Sequence, residues 1–257
     1  MNIRFIGVGP QSAGRDQYHS NMVVTSPAGK RMLIDCGGDA RFSLAECGIG
    51  PSDLDAVYIS HLHSDHIGGM EWLAFSTYFG KERKRPALFA ETGLLGRLWD
   101  NSLRGGLECI QSKRTELADY FDCQPQALAT PFYWGGIRFE MVEMLHTAGE
   151  QCNLYSYGLL IQSPQAGGAS LFISTDAIFQ PELLDKISHR ADLIFHDCET
   201  SPYRTGVHAH YEQLCSLPAA IKAKTWLYHY QANPGYLPQA DGFQGFVVKG
   251  QEFSFDE

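Results

Sequence analysis

The sequence predicts an α/β sandwich, with two sheets inside and helices outside. Apolar strand-like runs and helical spacings alternate through both halves of the chain, which is the signature of a layered α/β architecture. Strand after strand also ends on a histidine or an aspartate, so polar, metal-capable side chains gather where the backbone turns. No Pro/Ser-rich seam, long charge block or repeat interrupts the pattern, and residues 1–257 read as one domain.

Met1-Asn2-Ile3-Arg4-Phe5-Ile6 enters an alternating strand that runs from Ile3 to Val8, with no apolar signal core. After a polar loop, Asn21 to Ser26 and Arg31 to Asp35 are strands joined by the turn Pro27-Ala28-Gly29. Asp39 to Gly48 has helical spacing and a glycine stop, and Asp53 to Ser60 is an apolar strand. Residues 67–80, 92–104 and 113–120 are expected to be helices. The charged turn Lys81-Glu82-Arg83-Lys84-Arg85 precedes the strand Ala87-Leu88-Phe89-Ala90.

The second half repeats this logic. Ile137 to Leu145 is a strand ending at His146, and Tyr155 to Gln162 with Ser170 to Ser174 forms a hairpin ending at Asp176. Leu183 to Arg190 is helical, and Asp192 to Phe195 is a strand ending at His196-Asp197. Tyr211 to Leu217 is helical, and Thr225 to Tyr228 is a strand ending at His229.

Composition narrows the class. A hydrophobic fraction of 44% and a charged fraction of 19% suit a soluble globular enzyme, and no apolar run approaches a membrane span. Twenty basic against twenty-nine acidic residues give a net charge of −9, which disfavours grip on long nucleic acid. Seven scattered cysteines (36, 47, 109, 123, 152, 198, 215) without a CxxC pair suit reduced thiols, so the expected compartment is the cytoplasm.

The chemistry concentrates in His61-Leu62-His63-Ser64-Asp65-His66, directly after the apolar run Ala56-Val57-Tyr58-Ile59-Ser60. A solvated histidine-rich loop would explain one or two of these histidines but not their spacing on a strand end. Imidazole and carboxylate suit zinc, iron or manganese rather than a soft thiolate site. Two adjacent divalent ions, roughly 3.5–4 Å apart, need about seven ligands with one carboxylate shared. His61, His63, Asp65, His66, His146, Asp176 and His229 supply that set, each just past an expected strand.

With these residues in place, the chain resembles the metallo-β-lactamase-fold hydrolases over essentially its whole length. The carrying residues are Ile6-Gly7-Val8-Gly9, Leu33-Ile34-Asp35-Cys36-Gly37, Ile59 through Gly69, His146, Ser174-Thr175-Asp176 and His229. The resemblance implies an αββα sandwich of two mixed β-sheets flanked by helices. It further implies two divalent metal ions, Zn2+ in the first instance, with Mn2+ or Fe2+ as alternatives. His61, His63 and His146 would hold one ion, Asp65, His66 and His229 the other, and Asp176 would bridge them.

Within that superfamily the chain is most similar to the ribonuclease Z branch. The branch carries a His-Glu-Ala-Thr-like segment and, further on, a His-Ser-Thr-like segment. Here the matching stretches are His196-Asp197-Cys198-Glu199-Thr200 and Gly206-Val207-His208-Ala209-His210-Tyr211. By that match Asp197 orients His208, which protonates the leaving oxygen; Glu199 and His210 are neighbours able to take either role. A carboxylate that fixes the tautomer of an imidazole also raises its basicity.

Two departures redirect the substrate. Ribonuclease Z enzymes grip transfer RNA with a long basic arm between the positions of His146 and Asp176, whereas this chain has only a plain hairpin through Tyr155-Ser156-Tyr157-Gly158 and Gln165-Ala166-Gly167-Gly168. The Arg-Tyr pair usual after the last histidine is replaced in His229-Tyr230-Gln231. The resulting expectation is a dinuclear phosphodiesterase acting on a small nucleotide, a cyclic nucleotide first, and working as a homodimer. Hydroxide formed between the metals would attack phosphorus, with Asp65 orienting it and His208 supplying the proton. Tyr18, Trp134, Tyr155 and Tyr236 are weak candidates for stacking a base. The rival readings are a ribonuclease Z-like RNA 3′-end endonuclease, a lactone or thioester hydrolase of the same fold, and a non-catalytic nucleotide-binding protein.

Overall fold

The computed structural model describes the chain except for residues 129, 164–166, 256 and 257, so the expected hairpin tip at Gln165-Ala166 lies outside the described residues. The first half comprises β1 (Asn2–Phe5), β2 (Met22–Thr25), β3 (Arg31–Ile34), α1 (Ala40–Glu46), β4 (Ala56–Tyr58), α2 (Ser64–Ile67) and α3 (Met70–Tyr78). It continues with β5 (Ala87–Glu91), α4 (Thr92–Leu98), α5 (Arg104–Leu107), β6 (Cys109–Ile110), β7 (Lys113–Arg114), α6 (Leu117–Tyr120) and β8 (Asp122–Gln126). The second half comprises β9 (Phe132–Trp134), β10 (Ile137–Ala148), β11 (Asn153–Gln162), β12 (Ser170–Ile173), α7 (Pro181–Ser188) and β13 (Leu193–Asp197). It ends with α8 (Tyr211–Leu214), α9 (Ala219–Lys222), β14 (Thr225–Tyr228), β15 (Gly245–Phe246) and β16 (Glu252–Ser254).

The strands form two seven-stranded mixed sheets, ordered β16-β1-β2-β3-β4-β5-β8 and β15-β14-β13-β12-β11-β10-β9. Each sheet is antiparallel on one side and parallel on the other. The parallel runs are β3-β4-β5-β8 and β12-β13-β14-β15. The expected sandwich of two sheets flanked by helices is the observed one.

The apolar content explains the layering. β4 is buried at every position, because a strand covered on both faces needs apolar residues throughout rather than alternation. Phe5, Phe195, Tyr228 and Phe253 meet between the sheets, with Phe5 and Phe195 ring centroids 5.0 Å apart. A second cluster, including Phe172, Leu184, Ile187, Leu214 and Ile221, packs the outer face of the second sheet under α7, α8 and α9. Backbone bonds stitch one half to the other beside the site: His229 N–H donates to Val8 O at 2.7 Å, and Tyr157 N–H to Ser60 O at 3.0 Å.

Several boundaries differ from the sequence expectation. The helix expected over 67–80 starts at Ser64 and breaks at Gly68-Gly69, where added Cβ atoms would lie 2.5 Å from Ser64 O and 2.4 Å from Gly37 O. The helix expected over 92–104 passes through a wider π turn, Trp99–Leu103, before α5. Residues 113–120 are not one helix: Lys113–Arg114 pairs with Cys109–Ile110, and only Leu117–Tyr120 is helical. Gln111 (φ 47) and Ser112 (φ 65) make that hairpin turn without the usual Asn-Gly signal, so the sequence did not announce it. The helix at Tyr211 stops at Leu214, ahead of Pro218. Lys84 of the charged turn is tied down, its Nζ 2.9 Å from Asp55 Oδ1.

Candidate metal centre

The site lies at the C-terminal ends of β3 and β4 in one sheet and of β12, β13 and β14 in the other, the edge where α/β sheets usually bind ligands. Just past three of these ends the backbone turns through positive φ at residues other than glycine: Asp35 (59°), Thr175 (54°) and His229 (64°). Such a conformation costs energy in a β-branched or bulky residue, and it is found where neighbouring structure enforces it. Here the three turns aim Asp35, Asp176 and His229 inward. His146 departs from expectation, since it sits within β10 rather than after it. The register between β10 and β11 slips between Leu145 and Thr147, so His146 is the extra residue of a β-bulge. A bulge re-aims one side chain without ending the strand.

The seven sequence-predicted ligand candidates come together in two groups that share Asp176. His61, His63, His146 and Asp176 offer ligand atoms within 4.8 Å of one another, as do Asp65, His66, Asp176 and His229. His63 Nδ1 lies 3.1 Å from both His61 Nε2 and His146 Nε2. Asp176 Oδ2 lies 3.8 Å from His61 Nε2, 3.7 Å from His146 Nε2 and 3.3 Å from His66 Nε2. Its Oδ1 lies 3.4 Å from His229 Nε2, and Asp65 Oδ2 lies 3.6 Å from the same nitrogen.

The donor set fits divalent cations. His66 Nε2, His229 Nε2, Asp176 Oδ1 and Asp65 Oδ1 are buried without a hydrogen-bond partner, an arrangement that coordination would satisfy. Burial lowers the pKa of His61, His63 and His146, favouring the neutral imidazole that coordinates metal. Burial also opposes charge on His66 and His229, yet the facing carboxylates, Asp176 foremost, outweigh it and raise both, His229 to about 10. That half of the site therefore draws positive charge inward.

Outer partners fix the imidazoles. Asp35 Oδ2 lies 2.7 Å from His66 Nδ1, and the same carboxylate accepts the Ser60 amide at 2.8 Å and hydroxyl at 2.7 Å. Ser60 Oγ in turn lies 3.0 Å from His61 Nδ1. Val207 O accepts from His146 Nδ1 at 2.7 Å. Such contacts set ring orientation and tautomer. Asp35, Ser60 and the Val207 carbonyl carry no role legible from sequence, although Asp35 heads the Asp-Cys-Gly segment of the family pattern.

Asp197 and His208 meet beside this cluster. His208 Nδ1 lies 2.7 Å from Asp197 Oδ2, which also accepts the Ala177 amide at 2.8 Å. Burial raises the pKa of Asp197, but His208 and His229 outweigh it and bring it down to about 2. Of the neighbours left open by sequence, His210 caps α8, with Nδ1 accepting from the Glu212 amide at 3.3 Å and Nε2 donating to Ser201 O at 3.0 Å. Glu199 accepts the Thr205 amide at 3.0 Å instead of holding His208.

A cavity of about 510 Å³ opens over the cluster and is lined by His63, Asp65, His146, Asp176, His208 and His229, with Gln11, Glu199, Thr205 and Gln231 among its other walls. None of the four candidate stacking rings lines it. Tyr18 is buried and donates to Glu46 at 2.6 Å, Tyr236 stacks on Tyr211 at 4.1 Å, and Trp134 packs on the core. Tyr155 Oη accepts from Asn153 at 3.4 Å.

A family model described as "Anti-Pycsar protein Apyc1" matches residues 1–253. The chain belongs to the Anti-Pycsar Apyc1 family. Apyc1 proteins of Paenibacillus xerothermodurans and Paenibacillus harenae are 33% and 34% identical, covering 100% and 90% of this chain and 98% and 90% of their own length. Among solved structures, the metallo-β-lactamase fold protein YhfI from Bacillus subtilis superposes with a TM-score of 0.74 at 16% identity, covering 98% of each chain. The fold is thus that of the metallo-β-lactamases. This Apyc1-family chain is a hydrolase, and its His/Asp clusters fit divalent metal ions. Among the described residues no helix is long and apolar enough to cross a membrane.

Proposed function

We propose that the protein hydrolyses a small cyclic nucleotide, cleaving one phosphodiester bond at a dinuclear centre. In this reading His61, His63 and His146 would hold one divalent ion and Asp65, His66 and His229 the other, with Asp176 shared between them; zinc suits the nitrogen-rich donor set. Two such cations supply Lewis acidity and charge neutralisation for in-line displacement at phosphorus.

The carrying observation is the Asp197–His208 pair, 2.7 Å apart, in which His208 lines the same cavity as the ligand cluster. With Nδ1 engaged by Asp197, the other nitrogen of His208 is left for the substrate. Burial disfavours a charged His208, but Asp197 and then Asp176 outweigh it and raise its pKa, so a proton is held where a leaving ribose oxygen needs one. Lactone and thioester cleavage have less need of such an acid. Asp65, buried on the cavity floor, positions the attacking oxygen.

Family membership and the local chain both support a small substrate. The Apyc1 family degrades cyclic nucleotides. The described residues between His146 and Asp176 go mostly to the end of β10, to β11 and to β12, and an interval of this length is far too short for an RNA-gripping arm. We further propose that residues 1–257 act as one domain, as a homodimer, in the cytoplasm. A panel of cyclic mononucleotides and short structured RNAs, assayed with metal-loaded protein and again after chelation, tests the function. Chelator-sensitive turnover confined to the small diesters is expected, and preference for structured RNA would overturn the reading.

A further inference from the structure

We infer that Glu199 is a positioning residue, whose carboxylate clasps the loop 200–208 and so places His208 and His146 together. The inference rests on the phosphodiesterase reading and deepens it.

Glu199 is 1% exposed, and a buried carboxylate is costly unless something uses it. It lies two residues past the end of β13, at the root of the loop. Its backbone closes that loop, the N–H donating to Ala209 O at 2.8 Å and the C=O accepting from Tyr211 N at 2.9 Å. Its side chain reaches the middle, where Oε2 accepts the Thr205 amide at 3.0 Å. Gln231 ties the entry, its Oε1 accepting from Thr200 N at 2.5 Å and Thr200 Oγ1 at 2.9 Å.

Its other anchors are His210 Nε2 on Ser201 O at 3.0 Å and the exposed Arg204–Glu212 pair at 3.1 Å, while residues 202–206 are all exposed. Beyond its midpoint the loop is wired to the centre. Thr205 Oγ1 accepts from Val207 N at 3.4 Å, Val207 O holds His146 Nδ1 at 2.7 Å, and His208 Nδ1 meets Asp197 at 2.7 Å. One clasp therefore governs both the orientation of a ligand imidazole and the placement of the proton donor. Released, the segment would open locally, because exposed loops with few buried contacts sit at the low-stability end of a fold.

The test compares Glu199→Ala, Glu199→Gln and Thr205→Pro, the last removing the same hydrogen bond from its exposed end together with the Thr205 Oγ1 contact to Val207. Amide hydrogen exchange over 200–208 is read alongside kcat on a 3′,5′-cyclic mononucleotide and on bis(4-nitrophenyl) phosphate, whose leaving group needs no acid. Glu199→Ala and Thr205→Pro should speed exchange in this loop and lower kcat on the cyclic nucleotide by up to about 10²-fold, as a misplacement of about 1 Å can. The nitrophenyl ester should lose only the share owed to His146, and Glu199→Gln, which keeps an acceptor, should restore both exchange and rate. Unchanged exchange, or faster exchange with kcat on the cyclic nucleotide undiminished, would overturn the clasp. So would a Gln variant that protects the loop but stays slow, which would assign the carboxylate to the substrate. If metal-loaded wild type turns over neither ester, the phosphodiesterase reading falls, while the exchange measurement still decides the clasp.

Discussion

His208 Nδ1 lies 2.7 Å from Asp197 Oδ2, and the other oxygen of that carboxylate faces His229 Nδ1 at 3.4 Å. One buried aspartate thus holds the imidazole assigned as acid and stands beside a metal-ligand candidate. The proposed proton donor and the ligand candidates therefore meet at one carboxylate, which would link metal position to leaving-group position.

Replacing His208 by alanine separates the two. The variant should keep its metal content, measured by elemental analysis, while kcat on a cyclic nucleotide falls by about 10²–10⁴-fold, the usual worth of a general acid. A nitrophenyl ester should be nearly spared. Full activity on the cyclic nucleotide in a well-folded variant would remove His208 from the mechanism.

Asp176 is common to both ligand groups, so Asp176→Ala should abolish turnover and lower the bound metal per chain. Metal titration followed by calorimetry reads this directly. Undiminished stoichiometry would contradict a bridging carboxylate.

Asp35 touches no expected ion, yet it holds His66 Nδ1 at 2.7 Å and both donors of Ser60. Removing an outer-shell partner of this kind costs about 10–100-fold in metal affinity. Asp35→Ala should show that loss in competition with a chromophoric chelator.

Gly37 has no room for a side chain, because a Cβ there would lie 2.1 Å from Asp65 O. Gly37→Ala should cost about 1–3 kcal/mol by overpacking. It should also reduce metal binding, since the displaced backbone carries Asp65. Thermal melts with and without metal measure the two effects.

Glu140 tests the acid side of stability away from the centre. Its oxygens lie 2.7 and 2.8 Å from Arg190 Nη2 and 2.9 Å from Arg138 Nη2. Burial works against the carboxylate, but Arg190 and Arg138 outweigh it and lower its pKa. A depressed carboxylate stabilises the fold above its unfolded pKa, about 4.3, and the contribution fades as pH falls through the folded value. Glu140→Gln should therefore be less stable at pH 7 by roughly 0.5–1 kcal/mol, screened as the partners are. The gap between variant and wild type should close in acid denaturant melts.

The layers and the clustering of the ligand candidates were legible in the sequence because both have local signals. His61 to His66 follows an apolar strand, and Asp176 and His229 follow others. Non-local features were silent. Asp35 acquires meaning only when β3 and β4 pair in parallel and bring its carboxylate to Ser60 and His66. The bulge that aims His146 depends on the register of β10 against β11, and β16 forms only by pairing with β1 across the whole chain. Gln111 and Ser112 turn the β6–β7 hairpin with side chains that do not advertise positive φ. The stacking candidates failed for a related reason. Tyr18, Trp134 and Tyr236 are taken up by packing, and Tyr155, though exposed, lies outside the cavity lining.

The most direct measurement is steady-state turnover of a 3′,5′-cyclic mononucleotide panel by metal-loaded protein, with a linear nucleotide as the product to be identified. Hydrolysis that is lost on chelation, restored by metal, and abolished in Asp176→Ala is the expected result. No cyclic nucleotide turned over under metal-replete conditions, with a lactone or structured RNA cleaved instead, would contradict it.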